Sequence, residues 1–133
     1  MQPSEIAPSF TLLVDSLKQF KLSKKAVSEH ELEIWALEYL AKKGYKVTTQ
    51  KRTRSGRYDI TVEIEGFRYC IELKMIADRS CLDQLDRYAR SVNGLILLCW
   101  QASTAVISII KFQKSYSKIP IELIEVKRNC DIV

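Results

Sequence analysis

The sequence predicts an α/β domain built on a mixed β-sheet with helices on both faces. Three observations carry this. Ile60, Val62 and Ile64 alternate with polar residues, as do Phe67, Tyr69, Ile71 and Leu73, and the two runs flank Glu65-Gly66 as the strands of a hairpin would. A helical stretch then separates this hairpin from the apolar run Leu95–Trp100, which allows a parallel crossover. The chain has 133 residues, 47% apolar and 28% charged, the size and mix of one globular domain with a real core.

Each element has its own signal. Residues 9–20 form a short amphipathic helix, with Phe10, Leu13, Val14, Leu17 and Phe20 on one stripe. Residues 21–27 read as a basic connector. Ser28 opens a second helix, and Glu31 three residues on completes a capping box. Ile34, Leu37, Leu40 and Ala41 give its buried stripe, and Gly44 ends it. Residues 45–50 are a strand, and 51–57 a basic loop with Ser55-Gly56 as its turn signal. After the hairpin, residues 78–93 are helical and Gly94 closes that helix. Residues 95–100 form a buried strand. Residues 103–116 are helical, although the β-branched run Val106–Ile110 is ambiguous. Pro120 precedes a last strand over 121–126.

Several function classes are excluded or disfavoured. No apolar run approaches the length of a membrane span. Residues 1–10 have no basic segment followed by an apolar run, so no secretory signal is expected and the expected compartment is the cytoplasm. Cys70, Cys81, Cys99 and Cys130 are widely spaced, without a C-x-x-C pair, and His30 is the one histidine, which argues against zinc. Cys70 and Cys99 read as buried free thiols. A single histidine also leaves little room for Ser-His-Asp or Cys-His catalysis, and His30 fits a helix surface.

Net charge is +5, and the excess is clustered. Lys18, Lys21, Lys24 and Lys25 form one group, Lys42, Lys43 and Lys46 another. Lys51, Arg52, Arg54 and Arg57 form a third, and Lys111, Lys114, Lys118, Lys127 and Arg128 come later. Such patches suit a polyanion through phosphate contacts and counterion release. Ordinary solubility charge is the simpler explanation of the total, but not of the cluster just before Asp59.

The hairpin concentrates the chemistry. With Glu65-Gly66 as a two-residue turn, Ile64 faces Phe67, Glu63 faces Arg68, Thr61 faces Cys70, and Asp59 comes opposite Glu72. One face is apolar. The other collects Asp59, Glu72 and, one alternation on, Lys74. Opposed carboxylates repel, so a compensating cation is expected. Mg²⁺ suits this, since it uses one or two protein carboxylates with waters and phosphate oxygens. A solvated polar face with Lys74 neutralising Glu72 accounts for the same pattern equally well.

On the second helix Glu33 lies on or beside the buried stripe, where a carboxylate is costly unless paired or bound to a cation. A stripe-edge glutamate reaching water is an equal reading. Gln84 and Tyr88, one turn apart on the following helix, share a face and could contact a phosphate or the water network of a metal site. Arg87 and Arg90 there are further phosphate candidates. An ordinary polar helix face explains all four.

Taken together, Glu33, Asp59 and Glu72-Leu73-Lys74 resemble the PD-(D/E)xK nuclease superfamily: a helix glutamate, an Asp on one strand, then (Asp/Glu)-x-Lys on the next. Lys43-Gly44-Tyr45-Lys46-Val47, the basic loop and Ile71-Glu72-Leu73-Lys74 look most like archaeal Holliday-junction resolvases and their viral relatives. Gln84-Leu85-Asp86-Arg87-Tyr88 matches the Q-x-x-x-Y element of RecB-type members. The likeness spans roughly residues 28–100, and its specificity lies in the ordered set rather than in E-x-K alone. Tyr58 stands where the family usually has proline.

The resemblance implies a restriction-endonuclease-like fold with an αβββαβ core. It divides the chain into an N-terminal helical extension, residues 1–27, and a nuclease domain, residues 28–133. It implies that Asp59, Glu72 and the Leu73 carbonyl hold Mg²⁺ or Mn²⁺, that Glu33 completes the metal site, and that Lys74 orients the attacking water. It implies DNA as partner, gripped by Lys51, Arg52, Arg54 and Arg57 with Gln84, Arg87 and Tyr88, in DNA recombination or repair. The leading expectation is a metal-dependent endonuclease on structured DNA, homodimeric if it resolves junctions. A RecB-like exonuclease or single-strand nuclease is one alternative, and a DNA-binding subunit that keeps the fold without catalysis is another.

Overall fold

A computed structural model describes residues 7–22, 28–49, 52–53, 56–57, 60–78, 91–115 and 117–128; for 52–53, 56–57 and 127–128 it describes the backbone. In chain order the elements are α1 (Pro8–Lys18), β1 (Lys21–Leu22), α2 (Glu29–Lys42), β2 (Lys46–Thr49), β3 (Arg52–Thr53), β4 (Gly56–Arg57), β5 (Ile60–Ile64), β6 (Phe67–Ala77), β7 (Gly94–Ala102), α3 (Thr104–Lys114), β8 (Ile121–Glu125) and β9 (Lys127–Arg128).

Five strands form one mixed sheet in the order β2-β5-β6-β7-β8. The first two pairings are antiparallel and the last two parallel. Parallel neighbours need a long crossover, and between β6 and β7 this falls on residues 78–93. The helix expected there lies mostly outside the described residues.

The hairpin has the expected register. Ile64 pairs with Phe67, Glu63 with Arg68, Thr61 with Cys70 and Ile60 with Ile71. Its turn places both Glu65 and Gly66 at positive φ, 52° and 86°, the backbone of a type I′ turn that follows the twist of the strands. Glu63 is held between Lys46 at 3.5 Å and Arg68 at 3.6 Å, one from each neighbouring strand.

Helices cover both faces, as the crossover reading requires. On one, α1 and α2 pack Phe10, Leu13, Leu17, Leu32, Ala36 and Leu40 against Tyr69, Ile71, Leu73, Ile96 and Leu98. On the other, Val106 and Ile110 of α3 meet Cys70, Leu95, Leu97 and Cys99. Both cysteines are buried and outside any disulfide among the described residues. The β-branched run after Ser103 is helical, and Ser103 caps it by accepting the Val106 N–H at 3.2 Å. Burying Val106 and Ile110, one turn apart, fixes the period that propensity leaves open.

Three expectations are corrected. Residues 21–27 are not wholly a connector, because Lys21–Leu22 pairs in parallel with Lys127–Arg128. The basic segment 51–57 is not a simple loop: Arg52 pairs with Arg57 and Thr53 with Gly56, so Gly56 belongs to a strand. The buried stripe of α2 is Leu32, Glu33, Ala36 and Leu40, while Ile34 and Ala41 are exposed. The helix is apolar almost all round, so periodicity alone did not select the stripe. The cap is as expected, with the Ser28 hydroxyl accepting the Glu31 N–H at 3.2 Å.

Candidate active site on strand β6

β6 runs on past the described part of β5. The described pairing with β5 ends at Ile60–Ile71, whereas pairing with β7 continues to Ala77–Ala102. Glu72 is therefore the first β6 residue beyond the described part of β5. From that point β6 has one described neighbour, β7.

Strand alternation places Glu72 and Lys74 on the face of Cys70 and Thr61. Glu72 is 3% exposed, and the Lys74 Nζ lies 3.9 Å from its Oε1. Lys74 is half-buried, so the pair sits where core meets solvent. A carboxylate this deep carries a desolvation cost, which a neighbouring cation or a bound metal offsets. Ile71 and Leu73 point the other way, into the core under α1 and α2. These short apolar anchors fix the backbone from which Glu72 and Lys74 project.

Glu33 is 8% exposed and lies in the buried stripe of α2, the helix that packs against β6 itself. Sequence placed it at the stripe's edge or on it; it is on it. The described contacts bring Glu72 and Lys74 together; Glu33 lies on α2, which packs on the Ile71 and Leu73 face of β6, opposite the face of Glu72 and Lys74. Asp59 falls outside the described residues, as do Lys51, Arg54, Gln84, Arg87 and Tyr88. Arg52 and Arg57 are cross-strand partners in the β3–β4 ribbon, described at the backbone. His30 is exposed, as expected of a helix-surface residue.

One residue escaped the sequence reading as a site candidate. Thr61 is 2% exposed, and its Oγ1 has no hydrogen-bond partner among the described residues. It lies on the Glu72 face, diagonal to Glu72 across the hairpin. Threonine is a common strand residue, so its type gave no signal. Its register did, since it shares a face with Glu72.

Among the described residues no group of three or more His, Cys, Asp or Glu is placed to hold a metal. The donors present are nevertheless of one chemical kind: the Glu72 carboxylate, the Leu73 carbonyl and the orphaned Thr61 hydroxyl are all oxygen. That set fits a hard ion such as Mg²⁺, which needs only one or two carboxylates, and it does not fit a soft one. No helix among the described residues is long and apolar enough to cross a membrane.

Comparison with known proteins bears on the family and the fold. A family model described as the PD-(D/E)XK nuclease superfamily matches residues 27–115. Among solved structures, a repair endonuclease from Pyrococcus abyssi superposes with a TM-score of 0.56 at 18% identity, over 77% of this chain and 47% of that one. The chain thus spans about half the length of that neighbour, and the likeness establishes the restriction-endonuclease-like fold. No curated protein matches the sequence.

Proposed function

This chain belongs to the PD-(D/E)XK nuclease superfamily, and from that premise we propose that it is a metal-dependent DNA endonuclease acting on structured DNA such as a four-way junction. The observation that carries the proposal is the buried Glu72 carboxylate with Lys74 beside it, at the point where β6 leaves its described β5 partner. Lys74 is half-buried, so the pair lies where a substrate phosphate can reach it, which an enclosed acid–base pair in the core would not permit. The nuclease domain in this reading is residues 28–133, with residues 1–27 as an extension.

Asp59, Glu72 and the Leu73 carbonyl would hold Mg²⁺ or Mn²⁺, with Glu33 completing the site from α2. Such an ion, when bound, polarises the scissile phosphate and acidifies a water. Lys74 orients that water for attack on phosphorus and offsets charge building on the phosphoryl oxygens as the bond to the leaving oxygen breaks. Lys51, Arg52, Arg54 and Arg57, with Gln84, Arg87 and Tyr88, would hold the DNA backbone. Phosphate contacts position a duplex without reading its sequence, which suits recognition by shape. Cutting a junction symmetrically requires two such sites, hence a homodimer.

The test is cleavage mapping with Mg²⁺ on a synthetic four-way junction beside linear duplex, flap and single-stranded substrates. Paired cuts near the branch point, lost in Lys74→Ala, are expected. Digestion from ends or of single strands would move the enzyme to the RecB-like class. Binding without cleavage in Mg²⁺ or Mn²⁺, or full activity in Lys74→Ala, would sink the proposal.

A further inference from the structure

The outer side of α2 carries a second feature that the β6 site does not use. A cavity of about 340 Å³ opens there, lined by Phe20, Trp35 and Tyr39 and by Lys21, Lys42 and Glu38. Trp35, Tyr39 and Lys42 recur at i, i+4 and i+7, one stripe of the helix. Trp35 is two residues from Glu33, roughly 200° round the helix, so the cavity lies away from the Glu33 side of α2. Its volume is at the small end of the range for ligand sites, the scale of a single nucleoside unit.

The walls are fixed before anything binds. The Tyr39 hydroxyl donates to the Ser16 carbonyl at 2.7 Å. The Phe20 ring lies 4.9 Å from the Tyr39 ring, and the Lys43 Nζ sits 5.5 Å from the same ring's centroid. Trp35 packs against the main core while also lining the cavity. A rigid aromatic wall lowers the ordering cost of capturing a flat ligand.

The rim is cationic. Lys21 and Lys42 are exposed, and neither makes an ion pair among the described residues. The β1–β9 ribbon sets Lys21 opposite Lys127, and Leu22, which also lines the cavity, opposite Arg128. In sequence, Lys24 and Lys25 follow at once.

Aromatic walls under a basic rim are the combination that holds single-stranded nucleic acid, by stacking and by phosphate contact. The concavity admits one ring, and a duplex presents none that is unstacked. We propose that this cavity is a second nucleic-acid site, which captures one unpaired base of a single-stranded arm, with the flanking phosphates on Lys21 and Lys42. Glu38 supplies a carboxylate acceptor for the amino edge of the base. The inference rests on the reading of the chain as a DNA enzyme and adds a strand-capture site remote from the cut.

The probe is a single-stranded oligodeoxynucleotide of twelve mixed bases, against an abasic oligomer of equal length, both in EDTA so that nothing is cut. Trp100→Phe leaves Trp35 as the sole tryptophan reporter. The base-bearing oligomer is expected to quench Trp35 emission and to bind about tenfold tighter than the abasic one. Trp35→Ala should erase that difference. Lys21→Ala with Lys42→Ala should weaken both oligomers alike and flatten the salt dependence. If Trp100→Phe does not fold, competition between the two oligomers on the unaltered chain and on Trp35→Ala gives the same answer. Equal affinity for the two oligomers, unquenched Trp35 in the bound state, or no binding at all would overturn the site. Failure of the nuclease reading shows separately, as absence of cleavage in Mg²⁺.

Discussion

At Gly94 the fold has room for a hydrogen and nothing larger. A Cβ there would meet the Phe10 ring at 2.6 and 2.7 Å and the Tyr69 ring at 2.9 Å. Those rings are themselves fixed, 5.4 Å apart at their centroids, with the Tyr69 hydroxyl on the Ser9 hydroxyl at 2.5 Å. Gly94→Ala is expected to lower stability by about 1–3 kcal/mol, and Phe10→Leu in the same chain to recover part of it, both read by urea unfolding. Thr61 works in the opposite direction. Its buried hydroxyl has no partner among the described residues, so Thr61→Val should stabilise the chain by about 1 kcal/mol while slowing Mg²⁺-dependent cleavage, measured by single turnover. Faster or unchanged cleavage would remove Thr61 from the site. Gly94 was legible only as the end of a helix, because the ring that excludes a side chain comes from residues far away in sequence. Glu33 was half legible. A charged residue near an apolar stripe is visible in sequence, but α2 is apolar round most of its circumference, and only packing against β6 decided which face is buried.

The hairpin is the element that sequence specified most fully, and for a geometric reason. Side chains alternate with period 2, so once the turn is located every cross-strand partner follows. The register from Ile64–Phe67 to Ile60–Ile71 is the one that alternation requires. Its weak point is Glu65, at φ 52°, where an L-residue with a long side chain is strained. Glu65→Asn should stabilise by about 1 kcal/mol, as a raised urea midpoint with unchanged slope. An unchanged or lowered midpoint would mean that the turn is not the one described. The β1–β9 and β3–β4 ribbons were illegible for the converse reason. Each strand has two residues, too few for a period, and in β1–β9 the partners lie at opposite ends of the chain. Basic residues had identified both segments by charge alone.

At the scale of the molecule, α1 is the part whose role changes most on seeing the fold. The family match begins at residue 27, which makes the first helix look like an appendage. Its stripe was legible, with Phe10, Leu13, Val14, Leu17 and Phe20 at helical spacing, but a stripe does not name its partner. In the structure all five enter the same core as Tyr69, Ile71, Ile96 and Leu98, the layer that supports β6 from behind and so fixes the backbone carrying Glu72 and Lys74. Full burial of each such side chain contributes about 1.5–3 kcal/mol, against a total stability of about 5–15 kcal/mol for a domain. Removing residues 1–20 takes Phe10, Leu13, Val14, Leu17 and Phe20 out of that core, and the remaining chain is expected to lose its cooperative thermal transition and to bind a hydrophobic dye. Restoring the helix as a separate peptide should recover the transition only if the strands remain in place without it. A truncated chain that melts cooperatively and cleaves DNA at the full rate would show that the sheet and α2 alone hold the site.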